Sequence, residues 1–351
     1  MGRFTDDYVA TAVPTDAPRS IDVVVLWVDA ADEGWRRRRA GARGDQPEDR
    51  VDATPQWDML RYLLRGIDLY CPWVRRVHLV TPGQTPQWLK PDGDVRVVDQ
   101  ASLLPPGHPP TFNSMAVEAH LDRIPGLAEN FVYFNDDMLV VRPTGQEDVF
   151  PRGLPAGFAV LNAGTGTGTW SHWVLNAVEI IDRAFDKRSV MRRRPWQWFS
   201  PRYGRFLLRN VALLPWKRFT GFYEPHLPMA LERRTFAEVR ESAPREMSVT
   251  THAVFRSLDC VSPFVFRYWQ LSTGRFSPVS PATFGRFYEI DADSIEEIER
   301  ELTRPRGRFL CVNDKRAVGE DDDGLRDRLH RALESAFPRT SRFERGGVGR
   351  G

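Results

Sequence analysis

The apolar run Phe131-Val-Tyr-Phe134 ends abruptly in Asn135-Asp136-Asp137. Two adjacent carboxylates delivered at the end of such a run suit a hard cation such as Mg²⁺, which takes carboxylate, water and phosphate oxygens. Two further runs end alike: Ile21–Trp27 leads into Val28-Asp29, with Asp32 following, and Phe309–Val312 leads into Asn313-Asp314. Asp and Asn also open loops after strands for reasons of backbone geometry alone. Three such ends in one chain, one of them with paired acids, favour a cation site. Side chains alternate faces along a strand. Asp136 and Asp137 therefore reach one cation together only if the strand has already ended; otherwise one binds and the other supports.

His226 and Arg256 supply complementary chemistry. His226 sits between Pro225 and Pro228 in an extended, proline-fixed segment. With an unperturbed pKa near ~6.5, an imidazole can take a proton from an alcohol. A lone histidine is as a rule structural, and His108, His120, His172 and His252 are rivals on sequence alone. Arg256 interrupts an apolar stretch, Val254-Phe-Arg-Ser-Leu-Asp259. Its guanidinium is a natural clamp for a diphosphate; the alternative is an ion pair with Asp259. Gly164–Gly168 lacks the Lys-Ser/Thr ending of a phosphate loop and reads as a flexible loop.

The elements that must position these residues follow from apolar spacing. Ile21–Trp27 reads as a buried parallel strand. Residues 36–53 read as a charged, mobile loop. Thr54-Pro55 opens a helix carrying Leu60, Leu63, Leu64 and Ile67, which Pro72 ends. Val74–Val80 and Val95–Val98 are strands. Ser114 caps a helix with Met115, Val117, Leu121 and Ile124 on one face, and the strand ending at Phe134 follows. The alternation predicts an α/β protein with a three-layer, Rossmann-like sheet. In open sheets of this kind, ligands gather beyond the carboxyl ends of the strands. After Pro143 a helix is expected over Trp173–Phe185. Lys187–Arg218 then contains no acid, its arginines interleaved with Trp196, Trp198, Phe199, Tyr203, Phe206 and Trp216. That stretch suits an anionic membrane surface or an anionic polymer, nucleic acid included, with a solvated basic face as the ordinary reading. Further helices are expected from about Pro228 to Glu241 and through Tyr268.

Composition narrows the class. The 351 residues are 41% hydrophobic, enough for a sizeable core, and Lys+Arg 49 against Asp+Glu 47 leaves a net charge of +2. That balance argues against a general nucleic-acid binder. Three distant cysteines, Cys71, Cys260 and Cys311, indicate neither a disulfide framework nor a zinc ribbon, and favour a reducing compartment. No signal peptide is visible in the first 20 residues, and no uncharged run approaches the ~20 residues of a membrane span. A cytoplasmic protein, soluble or peripheral at the inner membrane face, is expected. Its eleven tryptophans serve the core or stack on sugars.

Four separated regions carry a family resemblance. They are Ile21–Asp29; Leu60-Arg61-Tyr62 with Pro72–Arg75, Val80–Leu89, Pro110–Ser114 and Glu118–Leu127 through Asp137; His226–Pro228 with Arg256 and Asp259; and Cys311–Asp314. In this order they resemble the Stealth family of sugar-1-phosphate transferases. That family includes capsule and cell-wall polysaccharide phosphotransferases and the catalytic subunit that puts GlcNAc-1-phosphate on lysosomal enzymes. The resemblance implies a glycosyltransferase-A-like fold and transfer of a hexose-1-phosphate from a nucleotide-diphosphate sugar, a UDP-sugar, to a hydroxyl of a glycan or polymer acceptor. It implies Mg²⁺ or Mn²⁺ at Asp136, Asp137, Asn313 and Asp314. His226, Arg256, Asp136 and Asp137 would be catalytic. Trp27, Asp29, Asp32, Arg61, Gln84, Asn113 and Asn135 would hold the donor. No nucleic-acid partner is implied. The expected organisation is a flexible leader over 1–19, one catalytic domain over 20–340 with a helical basic-aromatic insertion at about 165–220, and a disordered tail over 341–351. The alternatives are a Mg²⁺-dependent glycosyltransferase making a glycosidic bond, and a non-catalytic glycan-binding protein.

Overall fold

Runs of Val, Ile and Leu without polar alternation make strands where both faces of a sheet are covered. The computed structural model describes residues 20–44, 57–91, 93–314 and 324–346. The chain runs through β1 (Ile21–Leu26), α1 (Glu33–Arg43), α2 (Leu60–Tyr70), β2 (Val77–Thr81), β3 (Val95–Asp99), α3 (Ser114–Glu118), β4 (Asn130–Asn135) and β5 (Met138–Val140). Next come α4 (Gln146–Val149), β6 (Ala156–Gly157), α5 (Thr169–Ala184), α6 (Lys187–Arg193), α7 (Pro195–Trp198), α8 (Leu207–Leu213), β7 (Met229–Glu232), α9 (Arg234–Ser242), α10 (Pro244–His252) and α11 (Phe264–Thr273). The chain finishes with β8 (Ser277–Pro278), α12 (Pro281–Phe284), β9 (Gly285–Glu289), α13 (Ile295–Thr303), β10 (Phe309–Asn313) and α14 (Leu325–Ala336). In β2 every residue is buried, and in β1 and β4 every residue but the last, which is the signature of a sheet between two helical layers. The expected Rossmann-like α/β class is therefore the observed one.

The central sheet has the order β3-β2-β1-β4-β7. The first four strands are parallel and β7 runs antiparallel at the edge. The chain moves outward from β1 to β2 and β3, then returns to add β4 on the other side of β1. That reversal opens a crevice at the carboxyl ends of β1 and β4. Leu26 pairs with Asn135, so Trp27–Asp29 and Asn135–Asp137 leave the sheet side by side. A second sheet has the order β5-β10-β9. Cys311 of β10 lies opposite Met138 of β5, and the Val312 N–H donates to the Asp137 carbonyl at 3.0 Å. Asp136 and Asp137 are thus the turn by which the chain passes from one sheet to the other. Helix α2 packs on β5; a Cβ at Gly66 would lie 2.5 Å from the Val140 carbonyl oxygen, so glycine permits that contact.

Several expectations need correction. Residues 36–43 are helical, because the Asp32 carboxylate caps α1 by accepting from Trp35 N at 2.5 Å. The Thr54-Pro55 start lies outside the described residues. The cap of α3 is Asn113, not Ser114: its Oδ1 accepts from Met115 N at 3.1 Å. Pro228 opens a strand before it opens a helix, since Met229–Glu232 completes the sheet edge beside β4. The tail expected to be disordered is docked over residues 341–346, with Phe343 and Glu344 both 1% exposed. Glu344 accepts from Arg65 at 2.8 and 3.0 Å and from Arg61 at 2.6 Å. One hydrophobic cluster runs from Ile21 to Phe343.

Candidate active site

The segment carrying His226 is clamped by one buried cation. Arg267 of α11 donates to Glu224 Oε1 at 2.6 Å and to the carbonyls of Leu227 and Pro228 at 3.3 and 2.9 Å. His226 itself takes φ +50°, a left-handed conformation unusual outside glycine. Residues held there cost about 1–3 kcal/mol and persist where the surroundings over-determine them. Its ring stands edge-on to Phe264 and Phe287, at 6.3 and 6.0 Å between centroids.

This places His226 Nε2 3.6 Å from Asp137 Oδ2 and 3.4 Å from Asn135 Nδ2. Both contacts are longer than a tight hydrogen bond. Burial pushes the imidazole pKa down, but the hydrogen bond and charge of Asp137, with Glu224 and Glu118, carry it above its ordinary value. His226, Asp137 and Cys311 bring one ligand atom each to within 4.8 Å of one another. Burial, with the Asp137 charge, drives the Cys311 thiol well above its ordinary pKa, which keeps it protonated and a poor ligand. Asp137 Oδ1 is buried without a hydrogen-bond partner. An orphaned carboxylate oxygen is a donor that suits a hard cation. Beside it, burial and then the Asp137 charge push the Asp136 carboxyl up to about 7. The strand has ended at Asn135, so the two acids are not forced to opposite faces.

A continuous polar chain joins Arg256 to His226. Arg256 Nη2 donates to Ser114 Oγ at 2.8 Å, and the Ser114 hydroxyl bonds the buried Glu118 carboxyl. Tyr133 OH lies 2.5 Å from Glu118 Oε1 and 2.6 Å from Asn135 Oδ1. One hydroxyl proton cannot serve two acceptors. The Tyr133 oxygen bridges both groups, burial raises the Glu118 pKa, and the Asn135 amide nitrogen faces His226. Neither Tyr133 nor Glu118 was among the expected site residues. The signal for Tyr133 was its period-2 relation to Asn135, which puts both on one face of β4; the signal for Glu118 was a carboxylate on an otherwise apolar turn.

At the end of β1, Asp29 N donates to Gln84 Oε1 at 2.7 Å and Gln84 Nε2 donates back to Asp29 O at 3.0 Å. Trp27 N donates to Val80 O at 3.0 Å. Trp27, Asp29 and Gln84 therefore line the same sheet edge as Asn135. Asn313, one residue beyond Val312, lies beside the Asp136–Asp137 turn. Other expected residues have these partners within the protein. Asp32 caps α1. Arg61 is paired with Glu344. Asn113 bonds the Thr250 and Ala253 carbonyls at 3.4 and 3.3 Å. Asp314, buried, accepts from Trp57 Nε1 at 2.7 Å. Arg256 bonds Ser114 rather than pairing with Asp259. The rival His120 meets the Thr251 hydroxyl at 3.0 Å, and burial pushes its pKa down to about 4.

Residues 54–155 match the family described as Stealth protein CR2, conserved region 2. The chain is 35% identical over 333 residues to exopolysaccharide phosphotransferase cps2G of Lactiplantibacillus plantarum, covering 94% of this chain and 98% of that protein. It is 31% identical over 331 residues to capsular polysaccharide phosphotransferase WcwK of Streptococcus pneumoniae, covering 93% and 98%. Among solved structures, a galactosyltransferase, LgtC, in complex with donor and acceptor sugar analogs gives a TM-score of 0.38 at 11% identity, over 90% of this chain and 95% of that one.

Proposed function

The chain belongs to the Stealth family of sugar-phosphate transferases, and from that premise we propose that it transfers a hexose-1-phosphate from a UDP-sugar to a hydroxyl of a growing capsular or exopolysaccharide chain. His226 takes the acceptor's proton at Nε2 as the oxygen attacks the β-phosphorus. The bond to the nucleoside monophosphate breaks, and a phosphodiester results. The observation that carries this reading is the meeting of His226, Asn135 and Asp137 at the crevice between β1 and β4. The orphaned Asp137 oxygen, with Asp136 and Asn313, suits Mg²⁺ or Mn²⁺, which would neutralise the diphosphate when bound. Arg256 counters charge developing on the phosphoryl oxygens. Trp27, Asp29 and Gln84 face the nucleotide. Residues 20–340, with the insertion at about 165–220, work as one catalytic domain. Among the described residues no helix is long and apolar enough to cross a membrane, and we place the enzyme's work at the cytoplasmic face of one.

The test is a donor labelled in its β-phosphate. Label retained in the polymer with release of nucleoside monophosphate is expected. Release of nucleoside diphosphate would mean glycosidic transfer and sink the reading. Donor binding indifferent to Mg²⁺, without turnover, would leave a glycan-binding protein.

A further inference from the structure

Helix α8 sets Leu207 and Leu213 against the core yet leaves a second apolar face in water. A surface helix ordinarily buries its apolar residues and exposes its polar ones. Here Asn210 is fully buried: its amide donates to the Ala159 and Trp198 carbonyls at 2.7 and 2.6 Å and its oxygen accepts from Leu161 N at 2.6 Å. On the other side Leu208 is 72% exposed and Val211 58%. The ridge continues past the helix with Leu214 and Trp216, 44% and 55% exposed. This ridge is rigidly backed. Lys187, only 1% exposed, donates from Nζ to the Leu213 and Trp216 carbonyls at 2.6 and 3.0 Å. A buried amide and a row of aliphatic side chains in water, on one short helix, mark a surface built to be covered.

The surrounding charge says by what. Residues 187–218 hold no acid, and Lys217 and Arg218 follow Trp216 directly into solvent. Exposed aliphatic residues ringed by cations fit the boundary of an anionic bilayer, where acyl chains receive Leu and Val and headgroups receive Lys and Arg. A nucleic acid or an acidic glycan would use the cations and the tryptophan but has no place for the aliphatic ridge. We propose that α8 and the turn after it dock the enzyme on an anionic lipid surface. The docked face neighbours the segment that carries His226: Arg209 of α8 lies over the Tyr223 ring at 5.3 Å, three residues before His226. Docking there would bring that segment near acceptors carried on the same surface. This last point rests on the proposed reaction, but the docking itself does not.

The test is co-sedimentation of the full chain with phosphatidylcholine vesicles, with and without phosphatidylglycerol. Sedimentation only with the anionic vesicles, weakening as salt rises, is expected. Leu208→Ser with Trp216→Ser should cut partitioning roughly tenfold or more while leaving turnover of a soluble acceptor unchanged. Lys217→Glu with Arg218→Glu, both exposed side chains, should do the same through charge. Equal binding to neutral vesicles, or no binding, overturns the proposal. So does a wild-type dimer that the Leu208 and Trp216 changes convert to monomer, which would make the ridge an interface between copies. Tighter retention by a soluble polyanion than by the anionic vesicles overturns it as well. The vesicle assay contains no donor, so its failure and the failure of the proposed reaction are read separately.

Discussion

His226 is held in a left-handed conformation that any Cβ resists, so substitutions there separate strain from chemistry. His226→Ala keeps the strain and removes the proposed base; turnover should fall by about 10²- to 10⁴-fold, with a thermal midpoint close to wild type. His226→Gly should lose the same activity yet unfold at an equal or higher temperature, because glycine adopts φ +50° freely. A His226→Gly protein that melts well below wild type would remove the strain from the account. Tyr133→Phe deletes one hydroxyl from the chain that aims Asn135 at His226. Turnover should drop roughly tenfold, since such a bond contributes about 1–1.5 kcal/mol, with the donor KM unchanged; an equal change in KM would assign Tyr133 to binding. The paired acids and His226 stood out in the sequence because their residue types announce a chemistry, and the structure brings Asp137 and His226 to 3.6 Å. Cys311 was not, because only the register of β10 against β5 brings its sulfur to Asp137, 3.4 Å away. For Asp32 and Asn113 the residue type was equally telling of a cap, and each is one.

Strand β1 has two unlike ends. Its carboxyl end faces the crevice, whereas its amino end fixes the sheet through Asp22. That carboxylate accepts from Arg75 at 2.7 and 2.5 Å and from Ala128 N at 2.9 Å, and His78 Nε2 lies 3.1 Å away. Burial pushes its pKa up, but His78, Arg75 and the Ala128 N–H together outweigh that and hold it down at about 2. The folded pKa lies below the unfolded value of about 3.9. The carboxylate therefore stabilises the fold above pH ~4, and that contribution drains away as pH falls toward 2. Asp22→Ala should lower stability by about 3 kcal/mol at neutral pH, and its denaturant midpoint should vary less between pH 5 and 2 than wild type. The strands were legible as apolar runs because a parallel sheet buries both faces. The strand at Met229–Glu232 was not, because four residues carry too little periodicity to be told from the helix that follows. Only the free edge of β4 decides between them.

Across the whole molecule, residues far apart in sequence close the core. Arg65 on α2 is 6% exposed, and its partner Glu344 is 279 residues away. Burial pushes the Glu344 carboxyl up, but Arg65, the Ser341 N–H and Arg61 hold it down at about 2. Ending the chain after Thr340 would strip the buried Arg65 of Glu344, leaving it Glu334 at 3.6 Å and the Phe337 carbonyl at 2.8 Å, and would empty the slot filled by Phe343. Stability should fall by about 4 kcal/mol or more, seen as a lower denaturant midpoint; an unchanged midpoint would make the docked segment incidental. Nothing in the Arg/Gly-rich ending signals this, because one phenylalanine and one glutamate become anchors only when α2 presents their counterparts. The turn at Asp136 and Asp137 has a mechanical consequence as well. It is a seam between two sheets, and whatever binds there touches both sides, as a rivet would. Amide hydrogen exchange should report it: donor with Mg²⁺ should slow the Val312 N–H, which bonds across the seam to Asp137, and leave the Ala128 N–H at the far end of β1 untouched.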